Sequence, residues 1–384
     1  MPRATTWRTV SDTGRVTNTR GDRRRRLALA SLIAVVCAVY TWYQHGYLLA
    51  HAAAPDSLWL WRGAKLLAAG HDPWSAAVWG NAAAFSDSAT EIAWRIPLRE
   101  PLYYPMPAVL LWVPLAWFPF QTASTLFNAA GAFLFVMAVT RNGLIRAWLC
   151  GSIPFMFAMR FGQWSPLICA AWVYPSLASM LVAKPNLGVS LFVARPGRLV
   201  TIICILTLVL PTLVAPWWLS GWMHNIATEM GRTTPHPIPV TMFGGAGSVV
   251  LVALLRWRRP EARLLIALAC VPQLPYWADQ LPLMLVPKAR REVLSTLLVT
   301  LLGFCAWMVY APGRGDFVDT IRPFAVVCTF GPALVIVLRR SNVGGLPDAI
   351  ERHLVPLLPA WIRGSRDSLG AAMPADGPPV ASAL

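Results

Sequence analysis

Residues 23–44 read RRRRLALASLIAVVCAVYTWYQ, four arginines followed by a run from Leu27 to Gln44 that carries no charge. As α-helix, a run of that length matches a hydrocarbon core of roughly 30 Å. No small-residue cleavage site is clear after it and further apolar runs follow, so it reads as a retained first span rather than a signal peptide. Upstream, Arg3, Arg8, Arg15 and Arg20 stand against Asp12 and Asp22. Residues 1–26 are therefore basic without hydrophobic periodicity, which reads as a disordered tail. By the positive-inside bias this tail is cytoplasmic, and residues 45–102 lie on the outer face.

Working outward, apolar blocks recur at about 103–119, 121–140, 147–161, 165–183, 198–219, 241–255, 262–275, 293–310 and 321–338, with shorter runs at 186–194 and 280–287. The expectation is an all-α, polytopic transmembrane protein of about ten to twelve spans, with a membrane domain over 27–340 and both termini inside the cell membrane. The composition of the 384 residues, 56% hydrophobic and 13% charged, excludes a soluble globule, which carries roughly 25% charged residues. The formal charge of +16 sits in the N-terminal tail and in short loops: Arg195/Arg198, Arg256/Arg258/Arg259, Lys288/Arg290/Arg291 and Arg339/Arg340. That placement reports topology and not a nucleic-acid partner. Arg141 and Arg146 are the exception, falling on the outer side of this map. Residues 341–384 read as a mostly disordered, cytoplasmic tail in which Leu354 to Ile362 form one apolar patch on the membrane surface. Six of the seven cysteines lie inside apolar runs as small hydrophobes, so no disulfide framework or zinc site is readable.

The 45–102 loop is the long external segment. Leu58, Trp59, Trp61, Leu66 and Leu67 suit an amphipathic interfacial helix with Arg62 and Lys65 on its polar side and Gly70 as its stop. A second short helix is expected at Asp72-Pro73, where Asp72 has the place of a cap. Carboxylates are scarce, with none between Glu100 and Glu229. A general base must come from Asp56, Asp72, Asp87, Glu91, Glu100, Glu229, Asp279, Asp316 or Asp319. Asp56 opens the aromatic helix at the water–lipid boundary, where it is either a cap or a base. His45, His51 and His71 share the loop, but their spacing fits no tight ligand pattern, and they read as surface or capping residues with no metal. Arg160, at the end of an apolar run, and Lys184, isolated before Pro185, are either snorkelling cations or a phosphate site. Of the 19 tryptophans most belong to an interfacial belt, while Trp59 and Trp61 are candidates for stacking on a sugar.

The chain resembles glycosyltransferase family 87, in the GT-C superfamily of membrane enzymes. The matching pieces are Asp56 with Trp59, Gly63, Ala64 and Leu67; Gly70-His71-Asp72-Pro73-Trp74; Tyr103-Tyr104-Pro105-Met106-Pro107; Gly162-Gln163; and Lys184-Pro185-Asn186. They cover about residues 27–195 in the family's order, and Tyr276 to Pro287 with Lys288 and Arg290 resembles a later part. Two departures stand out: the family usually reads Tyr-Pro-Pro where Met106 interrupts, and the stretch between Gly162-Gln163 and Lys184-Pro185 is compressed.

What the resemblance implies is an inverting transfer of a hexose, most often mannose, from a polyprenyl-phosphate donor to a lipid or glycan acceptor on the extracytoplasmic face, without a cofactor. Asp56 would be the general base, Arg160 and Lys184 would hold the donor phosphate, and Trp59, Trp61, Gln163 and Asp279 would contact sugar or acceptor. Three other readings remain open at this stage: a transporter or flippase of a lipid-linked or anionic substrate, a catalytically inactive relative, and a scaffold in envelope assembly.

Overall fold

The computed structural model describes residues 20–51, 54–75, 77–78, 102–232, 238–243, 247–273, 276–314, 317–345, 348–353, 355–359 and 363. Among these the secondary structure is helical, with no strand and only isolated bridge residues, among them Ile238 paired with Gln273. The first helix, α1 (Arg20–Ala50), begins ahead of the apolar run, so Arg20 to Arg26 are helical rather than part of a disordered tail. Residues 1–19 lie outside the described residues.

Helix α1 pairs antiparallel with α4 (Phe120–Val139). Gln121 Nε2 donates to Trp42 O (2.7 Å) near one end, Asn128 Nδ2 to Thr41 Oγ1 (3.0 Å) further along, and Arg26 Nη2 to Met137 O (2.7 Å) near the other. The pair defines an Arg26 end and an Ala50 end. Arg141 lines a pocket with Arg23 and Arg26, and Arg146 donates to Val139 O (3.1 Å), so both lie at the Arg26 end. This corrects the expectation that they face away from the basic tail. The reason is that block 103–119 is no crossing: it is divided into α3 (Met106–Trp112) and a 3-10 turn, Val113–Leu115. The chain therefore enters α4 still at the Ala50 end, where Trp61 Nε1 donates to Phe118 O (3.0 Å).

Among the described residues four helices are long and apolar enough to cross a membrane: Gly21–Ala50, Phe120–Asn142, Arg290–Tyr310 and Asp319–Arg339. Two bent pairs raise this to six, the 3-10 helix Leu144–Gly151 with α5 (Ile153–Phe161), bent by 62°, and α9 (Arg198–Val214) with Trp217–Thr228, bent by 106°. Hydropathy reads composition but not continuity, and that is why ten to twelve blocks do not become as many long helices. The block at 165–183 contains α6 (Ser165–Ala171), a 3-10 turn at Pro175–Leu177 and α7 (Ser179–Ala183), and α8 (Pro185–Ala194) starts anew at a proline. Proline at the first helical position, preceded by a residue in extended backbone, is a favoured restart. Helix α9 exposes Ile202, Ile205, Leu206, Val209, Leu210 and Leu213 with Val200 its one buried side chain, a surface suited to lipid.

The basic loops gather at the Arg26 end. Arg195 donates to Trp172 O (3.0 Å), Arg263 to Ala194 O (2.9 Å) and Arg256 to Leu338 O (3.2 Å). Between α11 (Pro260–Cys270), α12 (Arg290–Tyr310) and α13 (Phe317–Arg339) lies an ion network. Lys288 Nζ and Arg340 Nη1 stand 2.7 and 3.6 Å from Glu261 Oε1, and Arg340 Nη2 is 2.7 Å from Glu292 Oε2. The described part of the C-terminal segment is docked, not disordered: Arg258 grips Glu351, in α14 (Asp348–His353), with bonds of 2.6 and 3.2 Å. Residues 364–384 lie outside the described residues, and so do Leu354 and Ala360 to Ile362 of the patch that was expected on the membrane surface.

At the Ala50 end, α2 (Ser57–Ala68) stops as expected. Gly70 has φ +80°, and His71 N donates back to Leu66 O (2.9 Å). Helix α10 (Trp217–Arg232) lies across this end, where Asn225 Nδ2 donates to Trp74 O (3.0 Å) and Leu102 O (3.1 Å).

Candidate active site

Asp56 precedes α2 with φ −56° and ψ −31°, already helical, and its side chain makes no cap hydrogen bond. A capping residue normally has extended backbone, from which its side chain reaches the N–H groups two or three residues ahead. Asp56 Oδ2 instead accepts a short hydrogen bond from Gln163 Nε2. The Gln163 amide oxygen accepts from Lys184 Nζ (2.8 Å), which also donates to Asp279 Oδ1 (2.5 Å). Four side chains from four distant parts of the chain thus form one line: carboxylate, amide, ammonium, carboxylate.

Each is positioned by a local rule. Helix α5 ends at Gly162 with φ +64° and ψ +51°, and Gln163 N closes on Ala158 O (2.9 Å), the left-handed stop that glycine serves. A Cβ on Gly162 would lie 2.4 Å from Ser57 Oγ, so only glycine lets α5 approach the start of α2 and bring Gln163 to Asp56. Lys184, at φ −136° and ψ +85°, sits in the break between α7 and α8 that Pro185 enforces. The break is tight, since a Cβ on Gly188 would fall 1.8 Å from Leu181 O. Asp279 is carried by the buried 3-10 helix Trp277–Leu285, whose far end is held by Arg146 Nη2 on Leu285 O (2.9 Å).

Burial lifts the Asp56 carboxyl above its ordinary range, against the lowering influence of the Lys184 ammonium and the Gln163 amide, and the Asp279 charge adds to the lift. Tyr104 stands beside both carboxylates, and burial together with their charges keeps its phenol protonated well above the usual pH. Its carbonyl is held by Trp74 Nε1 (3.0 Å). Around the line, Ser57 Oγ, Trp59 Nε1 and Trp277 Nε1 are buried without a hydrogen-bond partner among the described residues. Lys184 uses two of its three N–H donors within the line, and one Asp56 oxygen is not held by Gln163.

The structure brings Asp56, Gln163, Lys184 and Asp279 together and leaves two expected residues out. Arg160 is exposed with its guanidinium over the Phe161 ring (5.8 Å), and its only link toward the site is its carbonyl, which pairs with His45 Nε2 (3.0 Å). Trp61 is fully buried, edge-on to Phe120 at 5.8 Å with its indole N–H spent on Phe118, so it offers no face to a sugar. Trp59 remains partly exposed, 6.4 Å from Tyr103. Arg62, expected on the polar side of α2, is buried, and burial lowers its guanidinium to about 10. Asp72 holds a turn instead of opening the helix expected at Asp72-Pro73: its Oδ1 accepts from Trp74 N (2.9 Å) and its carbonyl from Ser75 N (3.2 Å). Asp319 is exposed beside Arg322, while Asp87, Glu91, Glu100, Asp316 and the Glu229 side chain lie outside the described residues.

Tyr104, Ser57 and Asn225 join the site's surroundings without having been singled out. Tyr104 lay within a quoted motif and Ser57 next to Asp56, but only the Gly162 approach gives Ser57 meaning; nothing in the sequence marks Asn225. No cluster of three His, Cys, Asp or Glu suited to a metal ion occurs among the described residues. The line offers one proton acceptor with a raised affinity for protons, one fixed cation and an aromatic rim, a set suited to transfer of a group between a phosphate and a hydroxyl. No protein-family model, curated protein or solved structure matches the chain.

Proposed function

We propose that this protein is an integral membrane glycosyltransferase that moves a hexose, mannose by the family resemblance, from a polyprenyl-phosphate donor to a hydroxyl of a lipid or glycan acceptor, inverting the anomeric carbon on the extracytoplasmic face. The observation that carries this reading is the Asp56–Gln163–Lys184–Asp279 line at the Ala50 end. The acceptor oxygen attacks the anomeric carbon as its proton passes to the Asp56 oxygen that Gln163 does not hold. The bond from that carbon to the phosphate oxygen breaks, and polyprenyl phosphate leaves as an anion facing Lys184. A carboxylate with a raised proton affinity suits the first task, because a base works best with a pKa near the working pH. An ammonium held by Asp279 and Gln163 suits the second, since it needs no reorganisation to meet the developing charge. The donor-phosphate role falls to Lys184 alone, and Arg160 has no part in it.

Asp56→Asn keeps size and an acceptor for Gln163 while removing the base. Purified variant and wild type would be assayed in detergent with polyprenyl-phosphate hexose and a lipid acceptor. Transfer should fall at least about a hundredfold with donor binding intact. Full turnover in the folded variant would remove Asp56 from the mechanism. The break at Lys184-Pro185, a cation between two short helices, favours a second reading as a transporter of an anionic lipid-linked substrate. In that case wild type would form no glycosylated product while still binding donor.

A further inference from the structure

A pocket lies away from the Asp56 line, at the Arg26 end. It holds about 550 Å³ and is lined by Arg23, Arg26 and Arg141 with Tyr174. Among the described residues no carboxylate lines it. Arg26 is fixed, its Nη2 on Met137 O (2.7 Å) and its Nε 3.4 Å from Thr140 Oγ1, whereas Arg23 and Arg141 are exposed. Adjoining it is a groove of about 270 Å³ walled by Phe133, Leu134 and Leu177, with Met137 and Tyr174 common to both. Phe133, Leu134 and Met137 share one face of α4, so the groove runs along that helix away from the arginines.

A cationic pocket opening into an apolar groove beside a candidate membrane span has the polarity of an amphiphile with an anionic head. We propose that it binds an anionic phospholipid, the phosphate among Arg23, Arg26 and Arg141 and an acyl chain along Phe133 and Leu134. Guanidinium forks match phosphate oxygens, and three of them without a competing carboxylate leave an anion as the complementary partner. The chain's own residues 1–19, with Arg3, Arg8 and Arg15 against Asp12, carry the wrong sign to fill it.

The test uses the full-length protein in detergent, with bound lipid measured by native mass spectrometry. Dioleoyl-phosphatidylglycerol should be retained in preference to dioleoyl-phosphatidylcholine. Arg23→Gln with Arg141→Gln should weaken it by about tenfold or more, the scale of a lost charge-assisted bond. Both side chains are exposed, and thermal unfolding would verify that the fold is kept. Arg290→Gln with Arg291→Gln, an equal charge loss on exposed residues at the same end, should leave retention unchanged. Equal loss in both pairs, or no preference over phosphatidylcholine, would overturn the proposal by reducing it to surface charge. Glycerol 3-phosphate and inorganic phosphate should not displace the lipid at matched concentration, and displacement would overturn the lipid assignment in favour of a soluble phosphate.

Discussion

The two ends of the molecule use the same ionic groups in opposite ways. At the Arg26 end, Glu261, Lys288, Arg340 and Glu292 pair with one another and with helix ends, although Glu261 Oε2 and Arg340 Nη1 have no hydrogen-bond partner among the described residues. Glu292 Oε2 accepts from Lys288 N and Ala289 N at 2.7 and 3.1 Å, and Arg340 Nη2 also donates to Val286 O at 3.0 Å. At the Ala50 end the Asp56 line stops short of closure, with an oxygen of Asp56 and a proton of Lys184 left to meet something else. A charge network tied into helix ends reports architecture; a carboxylate whose proton affinity burial has raised, beside a fixed cation, reports chemistry.

The comparison breaks most sharply at the Lys184–Asp279 pair. Lys184→Met strands a buried carboxylate and should cost about 3–5 kcal/mol in denaturant unfolding, and adding Asp279→Leu should recover most of it. Donor binding should not return in the double variant. If it did, the pair would be as structural as its counterpart around Glu261. Next in size is Gly162→Ala, which forces a left-handed alanine at about 1–2 kcal/mol and adds a clash with Ser57. Ser57→Gly in the same chain should relieve the clash but not the backbone cost, so stability should recover only in part while turnover returns as α5 regains its approach to α2.

A gentler probe is pH. Because Asp56 holds its proton more tightly when folded, the folded state binds more protons than the unfolded chain between the ordinary carboxylate pKa and the raised one. This contribution to stability is present at acid pH and lost as pH rises through the raised value. Asp56→Asn should therefore flatten that slope and match or exceed wild type in Tm at pH 7, while wild-type turnover should fall on acidification before ordinary carboxylates titrate. An unchanged stability profile in Asp56→Asn would place the carboxylate in water. Smallest is Gly70→Ala, where nothing lies within 4 Å of the added methyl and only the positive φ opposes it, at about 1 kcal/mol. Its effect on donor binding should be nil.

Much of the candidate site was legible in the sequence. Asp56 and Asp279 were legible because carboxylates are rare here, and Lys184 because a cation before a proline in apolar surroundings needs a partner. Arg160 and Trp61 misled for one reason: hydropathy cannot say which side of a short helix faces inward. Trp61 lies three residues after Leu58, on the buried stripe of α2, and its indole is core. Arg160 stands two residues before the Gly162 turn that sends Gln163 inward, while its own side chain faces outward. Prolines such as Pro175 and Pro185 end helices inside stretches whose mean hydropathy stays high, so the ten to twelve apolar blocks correspond, among the described residues, to four long apolar helices, or six with the bent pairs. The sidedness of Arg141 and Arg146 turned on one such block, 103–119, which is divided into α3 and a 3-10 turn.

Asn225 makes two distant parts of the chain answer to one side chain. Its amide reaches Trp74 O at 3.0 Å and Leu102 O at 3.1 Å, and a Cβ on Gly221 would lie 2.9 Å from the Trp74 side chain, so α10 sits close enough for that reach. Removing the amide would leave two buried carbonyls without a donor at once, so α10 acts as a clasp whose loss is felt on both sides of it.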